Sequence, residues 1–343
     1  MKYIKRIVDN EMQTKLSASG AVLVRGVKAC GKTETATQFA KSVLQVDQDE
    51  QVPLIMNVAP QRLLIGDTPR LIDEWQEQPK LWDYVRHEVD KRKLKGQFIL
   101  TGSATPRDDA RIHSGAGRFT VVNMRTMSWQ ELGYSSGKAS LHDLLTGQGI
   151  DVVDQPVNLE TIIDRMIKGG WPALVEASVE QAVLINRAYV DLLVEVDMSR
   201  GSNIKRDPLK VKNILRSLAR NTATTAENTT LVADLKENDN QDISRPTLLD
   251  YLDALERLMI IEDQPAWNTH IRSSVSLRKS KKRHLADVSL AVSALGADKK
   301  RLLDDLKLTG FLFESQVTHD LRIYAGDNDA NVFYIKSNKY LHK

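Results

Sequence analysis

Residues 25–36, RGVKACGKTETA, constrain this chain more than any other stretch. They follow a continuous apolar run, AVLV at 21–24, that reads as a buried parallel strand closed at once by glycine. Residues 32–44, KTETATQFAKSVL, read as a helix with Thr35, Phe39 and Val43 on one stripe and Ala36 and Ala40 beside it. Between strand and helix stands Gly26-x-x-x-x-Gly31-Lys32-Thr33, the P-loop pattern in its strand–loop–helix setting. Glycines let the backbone curl so that successive N–H groups converge, and the helix start adds its positive dipole end. That combination is a cradle for phosphates. The expected contacts run through Gly26, Val27, Lys28, Ala29, Cys30 and Gly31 to Lys32, Thr33 and Glu34. Lys32 reaches the β- and γ-phosphates, and the Thr33 hydroxyl holds Mg²⁺. Cys30 supplies the small side chain needed before Gly31, and alkylating it is expected to crowd the phosphate site.

Binding phosphate is not hydrolysis, and three further segments bear on that step. PRLIDEWQ, residues 69–76, is a short apolar strand ending in Asp73 and Glu74. Asp73 would support Mg²⁺ through its water shell, and Glu74 would polarise the attacking water. The competing reading is an acidic cap for the helix that follows at 78–92. GQFILTGSA, residues 96–104, is another buried strand, ending in the hydroxyl residues Thr101 and Ser103. Resemblance to the additional-strand class of P-loop ATPases, in which a polar residue at this point helps fix that water, implies such a role for Thr101 or Ser103. In HSGAGRFTVVNM, Arg118 stands at the mouth of a further strand. It suits an arginine finger acting within its own subunit or on a neighbour, the latter implying oligomers, and equally suits a surface ion pair.

These segments in this order resemble an AAA-fold ATPase. More narrowly, the chain resembles a bacterial and archaeal family in which an ATPase domain precedes a C-terminal half of unknown function. The resemblance extends through MRTMSWQELG, KGGWPAL, RDPLKVKNILRSLARN, TLLDYLDALERLMIIEDQPAW, RSSVSLRKSKKRHLADVSLA and GFLFESQVTHDLR. It implies an α/β P-loop NTPase of the additional-strand type, with a parallel sheet of order 5-1-4-3-2 and ATP as the nucleotide. The domains expected on this basis are an ATPase at 1–135, a linker and helical region at 136–205, a winged helix at 206–270, and a partial endonuclease-like α/β module at 271–343.

The residues of the second half carry their own signals. The segment 208–220 places Val211, Ile214, Leu215 and Leu218 on one helical face, and the stretch after Ser244 aligns Leu248, Leu252, Leu255 and Met259. With LMIIEDQPAW as strand and wing, this reads as a winged helix whose last helix could face DNA. Asp250, Asp253 and Glu256 make that helix acidic, so protein packing suits it equally. The best phosphate-neutralising cluster is Arg272, Arg278, Lys279, Lys281, Lys282 and Arg283, with a solvated surface as the alternative. Trp171, after two glycines and before Pro172, reads as a packing anchor at a turn, with ligand stacking as the lesser alternative. Glu314 matches the helix glutamate of an endonuclease metal site, but the sequence after NVFYI supplies no further carboxylates or lysine in the family's pattern. One carboxylate cannot assemble such a site, so a truncated member without nuclease chemistry is expected.

Composition narrows the class. With one cysteine in 343 residues there is no internal disulfide framework and no multi-cysteine zinc site. The net charge of +3 neither demands nor excludes nucleic acid. No apolar run approaches the roughly 20 residues of a membrane helix, and the start lacks a signal-peptide core, so a cytoplasmic protein is expected. The expectation is an Mg²⁺-dependent ATPase that moves a winged-helix module against DNA or protein. The alternative is a nucleotide-gated switch with negligible turnover.

Overall fold

Short apolar strands separated by helices can pair in parallel only through crossovers, which place the helices on the faces of the sheet. The computed structural model describes residues 3–102, 115–152, 155–196, 198, 206–267 and 280–335. It divides into two units, residues 1–135 with 257–259, and residues 136–256 with 260–343.

The first unit contains α1 (Val8–Ala18), β1 (Ala21–Arg25), α2 (Lys32–Phe39), β2 (Ser42–Gln45), α3 (Val52–Val58), β3 (Arg70–Asp73), α4 (Leu81–Arg92), β4 (Phe98–Gly102) and β5 (Phe119–Asn123). The strands form one sheet of order β2-β3-β4-β1-β5 with every pairing parallel. This is the 5-1-4-3-2 order that the family resemblance implies. On one face, Ile72, Leu81, Val85 and Leu100 are wholly buried around Trp75 and Trp82. Trp82 stacks on Phe119 with ring centroids 4.0 Å apart. Registers pair Asp73 with Thr101 and Thr101 with Val24, so the carboxyl ends of β3, β4 and β1 share one edge. In open α/β sheets that edge is where ligands bind.

One element differs from the sequence reading. The helix expected over 32–44 stops at Phe39, and Val43 lies in β2 opposite Leu71, 45% exposed. Lys41 N–H donates to the Pro69 carbonyl at 2.8 Å and leads the chain into the β3 ladder. Tertiary pairing of a β-branched residue overrides a helical pattern that continues in the sequence to Leu44.

A buried cation fastens the start of this unit to its far end. Arg6 Nε donates to Glu131 Oε1 at 3.0 Å, both side chains under 5% exposed. Its other nitrogens donate to the carbonyls of Cys30 at 3.1 Å and Arg125 at 2.9 Å. Glu131 also accepts from the backbone N–H groups of Ile7 and Ser128, each at 2.7 Å.

The second unit is helical: α5 (Leu141–Leu145), α6 (Leu159–Lys168), α7 (Val179–Glu195), α8 (Pro208–Arg220), α9 (Asn228–Asp239), α10 (Arg245–Arg257), α11 (Val288–Leu295), α12 (Lys299–Asp304) and α13 (Leu306–Asp327). α8 buries Val211, Ile214, Leu215 and Leu218, and α10 buries Leu248, Leu252 and Leu255. Met259 leaves that stripe, since it lies past the end of α10 with a left-handed φ of 59°. Antiparallel bridges join Ile261 to Leu285 and Gln264 to Lys282. Trp171 is buried beside Tyr189, its Nε1 donating to Ser289 Oγ at 2.9 Å. Among the described residues, no helix is long and apolar enough to cross a membrane.

Two stability predictions follow from the buried polar groups. Arg6→Ala strands the Glu131 carboxylate in the interior and is expected to cost about 3–5 kcal/mol in urea unfolding. His284 is buried against Ser315, and burial pushes its pKa down from 6.5 to about 3. The unfolded chain therefore binds the extra proton first. Stability held by neutral His284 is present above pH 6.5 and is lost as pH falls from there toward 3. His284→Gln should flatten that limb of the second unit's pH–stability curve, followed by circular dichroism.

Candidate nucleotide-binding site

β1 delivers the chain into a loop that only particular residues permit. A Cβ on Gly26 would lie 2.0 Å from the Met124 carbonyl oxygen, so the backbone passes where no other side chain fits. Ala29 (φ 64°) and Gly31 (φ 99°) are left-handed, which curls the loop before α2 begins. Such a turn gathers backbone N–H groups into an anion-binding concavity at a helix start. Lys32 is only 5% exposed, and its Nζ donates to the carbonyls of Gly26 and Val27 at 3.0 Å each. Its ammonium thus lies folded over the loop. Val27 is buried, whereas Lys28, Ala29 and Glu34 are exposed.

Cys30 sits beneath the loop. It is fully buried, with Sγ 3.8 Å from the Met124 carbonyl oxygen. The added Cβ at Gly26 would meet this sulfur at 3.2 Å. The thiol thus lies on the packed side of the loop, so a group added there would reach the phosphate site by displacing the loop backbone.

The loop meets β3 and β4 at one atom. Thr33 Oγ1, at the start of α2, donates to Asp73 Oδ1 at 2.9 Å, and Thr101 Oγ1 donates to the same oxygen. Asp73 is 5% exposed and Thr101 1%. Asp73 therefore ends β3 as an oriented acceptor, with a hydroxyl from each neighbouring element. The Thr101 hydroxyl thus commits its proton to this carboxylate, while its oxygen keeps acceptor capacity. Ser103, its alternative, lies outside the described residues.

Glu74 follows in a left-handed conformation (φ 52°, ψ 42°), unusual for a non-glycine residue. Strain of this kind gathers at functional sites. Gln76 Nε2 donates to Glu74 Oε2. Sequence reading passed over Gln76; the one signal was a polar residue directly after buried Trp75 in the turn DEWQ.

Arg118 is not brought to this site. Ala21 N–H donates to its carbonyl at 3.1 Å, and β5 runs parallel to β1 from Phe119 opposite Ala21. Arg118 thus stands at the amino edge of the sheet, roughly 15 Å of strand from the loop. Its own-subunit finger role is corrected by that register. Its Nε and Nη2 reach the two Asp90 oxygens at 2.9 and 3.3 Å. The guanidinium holds the Asp90 carboxyl below the usual carboxylate range.

The basic cluster of the second unit is partly committed to internal partners. Arg283 donates to Asp263 Oδ2 and Asn228 Oδ1, both at 2.6 Å, and to the Ala226 carbonyl at 3.1 Å. Burial raises the Asp263 pKa while Arg283 opposes the rise. Lys282 pairs with Glu314, the residue matched to an endonuclease glutamate. Lys281 is exposed. Arg272, Arg278 and Lys279 lie outside the described residues.

Residues 18–133 match a family model described as an AAA domain, and residues 159–301 match one described as a domain of unknown function (DUF8612). Among curated proteins, uncharacterised proteins of Mycobacterium tuberculosis (Rv2008c) and Mycobacterium bovis (Mb2031c) are each 23% identical over 323 residues. The match covers 92% of this chain and 65% of each relative, so the chain spans under two thirds of their length. The Orc1 protein of Aeropyrum pernix, solved in complex with DNA, is 12% identical with a TM-score of 0.31. That match covers 88% of this chain and 95% of Orc1, a likeness too slight to carry an argument. The first unit is thus an α/β domain built on a five-stranded parallel sheet, and its residues 18–133 are similar to an AAA domain.

The burial of Cys30 gives a direct check on the loop. A maleimide should label it slowly in the native protein and rapidly in denaturant, followed by mass spectrometry. Rapid native labelling would mean that the sulfur does not lie beneath the loop.

Proposed function

We propose that this chain binds ATP with Mg²⁺ in the Gly26–Glu34 loop and hydrolyses it. The observation that carries the reading is the convergence of Thr33 and Thr101 on Asp73 Oδ1, with Glu74 next in the chain. A strand-end carboxylate held by the P-loop threonine is the arrangement that phosphoryl transfer uses.

The donors suit Mg²⁺. Thr33 and Asp73 offer hard oxygens, and the described residues contain no group of three His, Cys, Asp or Glu that could cage a metal alone. Mg²⁺ is ordinarily held this way, by one or two protein oxygens with phosphate and water completing its shell. When bound, it would neutralise charge on the phosphates. The loop amides and Lys32 grip the β- and γ-phosphates, and Lys32 exchanges its two carbonyl bonds for phosphate oxygens. Glu74 accepts a proton from water as the water oxygen bonds to the γ-phosphorus and the bond to the ADP oxygen breaks. Thr101 keeps Asp73 aimed.

Arg118, exposed at the opposite edge, could touch only a nucleotide held by a second copy, which makes oligomerisation part of this reading. α8, α9 and α10 followed by two antiparallel bridges support a winged helix as the moving module. Asp253 and Glu256 on the exposed side of α10, with Arg283 and Lys282 bound internally, favour a protein partner over DNA. A nucleotide-gated switch would share the binding and lack the turnover.

Lys32→Ala should weaken ATP binding at least tenfold by calorimetry. Glu74→Gln should bind ATP within about twofold of the wild type yet lose phosphate release by about 10²–10⁴-fold. Undiminished release by Glu74→Gln would overturn the assignment. Binding without turnover in the wild type would select the switch.

A further inference from the structure

A general base must be aimed as well as present, and a side chain bonded to Glu74 lies two residues beyond it. Gln76 belongs to the single turn Trp75–Glu77 after β3. Trp75, buried against Trp82 with centroids 5.3 Å apart, pins that turn to the core. The Gln76 Nε2 donates to the Glu74 carboxylate. Its other end, Oε1, is closed to solvent and has no hydrogen-bond partner among the described residues. The orientation is dictated by chemistry: an ionised carboxylate only accepts, so the NH₂ end must face Glu74 and the carbonyl must face away.

What lies on the carbonyl side is Gly102, the last residue of β4 and the neighbour of Thr101. A Cβ at position 102 would stand 2.4 Å from Gln76 Oε1 and 3.2 Å from Trp75 Nε1. Gly102 pairs regularly with Arg25 in the ladder and has no left-handed φ. Glycine is therefore needed there for space, and the space is filled by the Gln76 amide.

We propose that Gln76 is a positioning residue for ATP hydrolysis, its amide wedged between the Glu74 carboxylate and the Gly102 backbone so that Glu74 points in one direction. This rests on the reading of Glu74 as the base. Among the described residues, the amide bonds the Glu74 carboxylate at one end and packs against Gly102 without a hydrogen bond at the other, so its bonded task there is to hold Glu74. Misaiming a base by about 1 Å costs on the order of 10²-fold in rate without touching substrate affinity.

The test is a crossed set of variants read by ATP affinity and by kcat, on the full chain. Gln76→Ala should lower kcat about 10–100-fold with Kd for ATP within about twofold. Gln76→Glu, which keeps the volume but sets a carboxylate against Glu74, should lower kcat at least as far, so the result does not depend on a cavity. Gly102→Ala should push the amide off Glu74 and lower kcat similarly. In the Gln76→Ala background, Gly102→Ala should cost nothing further, because the space it needs has been vacated. In the Glu74→Gln background, Gln76→Ala should be silent. Wild-type kcat in both Gln76→Ala and Gln76→Glu, with Glu74→Gln inactive, would overturn the Gln76 proposal alone. Full turnover in Glu74→Gln, or no turnover in the wild type, would overturn the hydrolytic reading and this proposal with it. Thermal unfolding of each variant separates loss of fold from loss of aim. Should Gly102→Ala not fold, the two Gln76 variants decide.

Discussion

One carboxylate oxygen, Asp73 Oδ1, ties three elements of the first unit together. Thr33 reaches it from the start of α2 and Thr101 from the end of β4, while Asp73 itself ends β3. That meeting requires β4 to lie between β3 and β1 in parallel register, Asp73 beside Thr101 and Thr101 beside Val24. A slip of one residue in either ladder would turn Thr101 to the other face of the sheet and leave Asp73 without its second hydroxyl. The loop, Thr33, Asp73 and Glu74 are thus placed by sheet register more than by any one contact.

Much of this was legible in the chain because the P-loop is a local device. Its left-handed Ala29 and Gly31 and the bonds of Lys32 to the Gly26 and Val27 carbonyls lie within the loop itself, and their spacing records the curl. The same holds for the apolar faces of α8 and α10, where a period of 3.6 writes burial directly into sequence. What escaped were contacts between segments. Gly102 and Gln76 are 26 positions apart, and nothing in GQFILTGSA announces that its glycine clears room for an amide from another strand end. Likewise Arg283 reads as one cation in a run until Asp263, twenty positions earlier, is found beside it.

Two outcomes have physical causes worth separating. The helix through Val43 failed because a strand partner competed for the same residues, and ladder bonds to β3 outweighed continued helical turns. For Arg118, of the readings left open, the surface ion pair is the one formed within the chain. An arginine beginning a parallel strand lies at the amino edge of the sheet, and ligands gather at the carboxyl edge. Strand polarity alone argues against a finger in its own subunit.

The grip of Arg6 on the Cys30 carbonyl, the Arg125 carbonyl and Glu131 bears on how the phosphate loop moves. A loop backed only by solvent would breathe by itself, exchanging its amide hydrogens in brief local excursions. This one is moored from behind by a guanidinium that also clasps both ends of the unit. Its amides should therefore exchange with the slow tempo of the whole unit coming apart, so that the cradle is kept in shape before any nucleotide arrives.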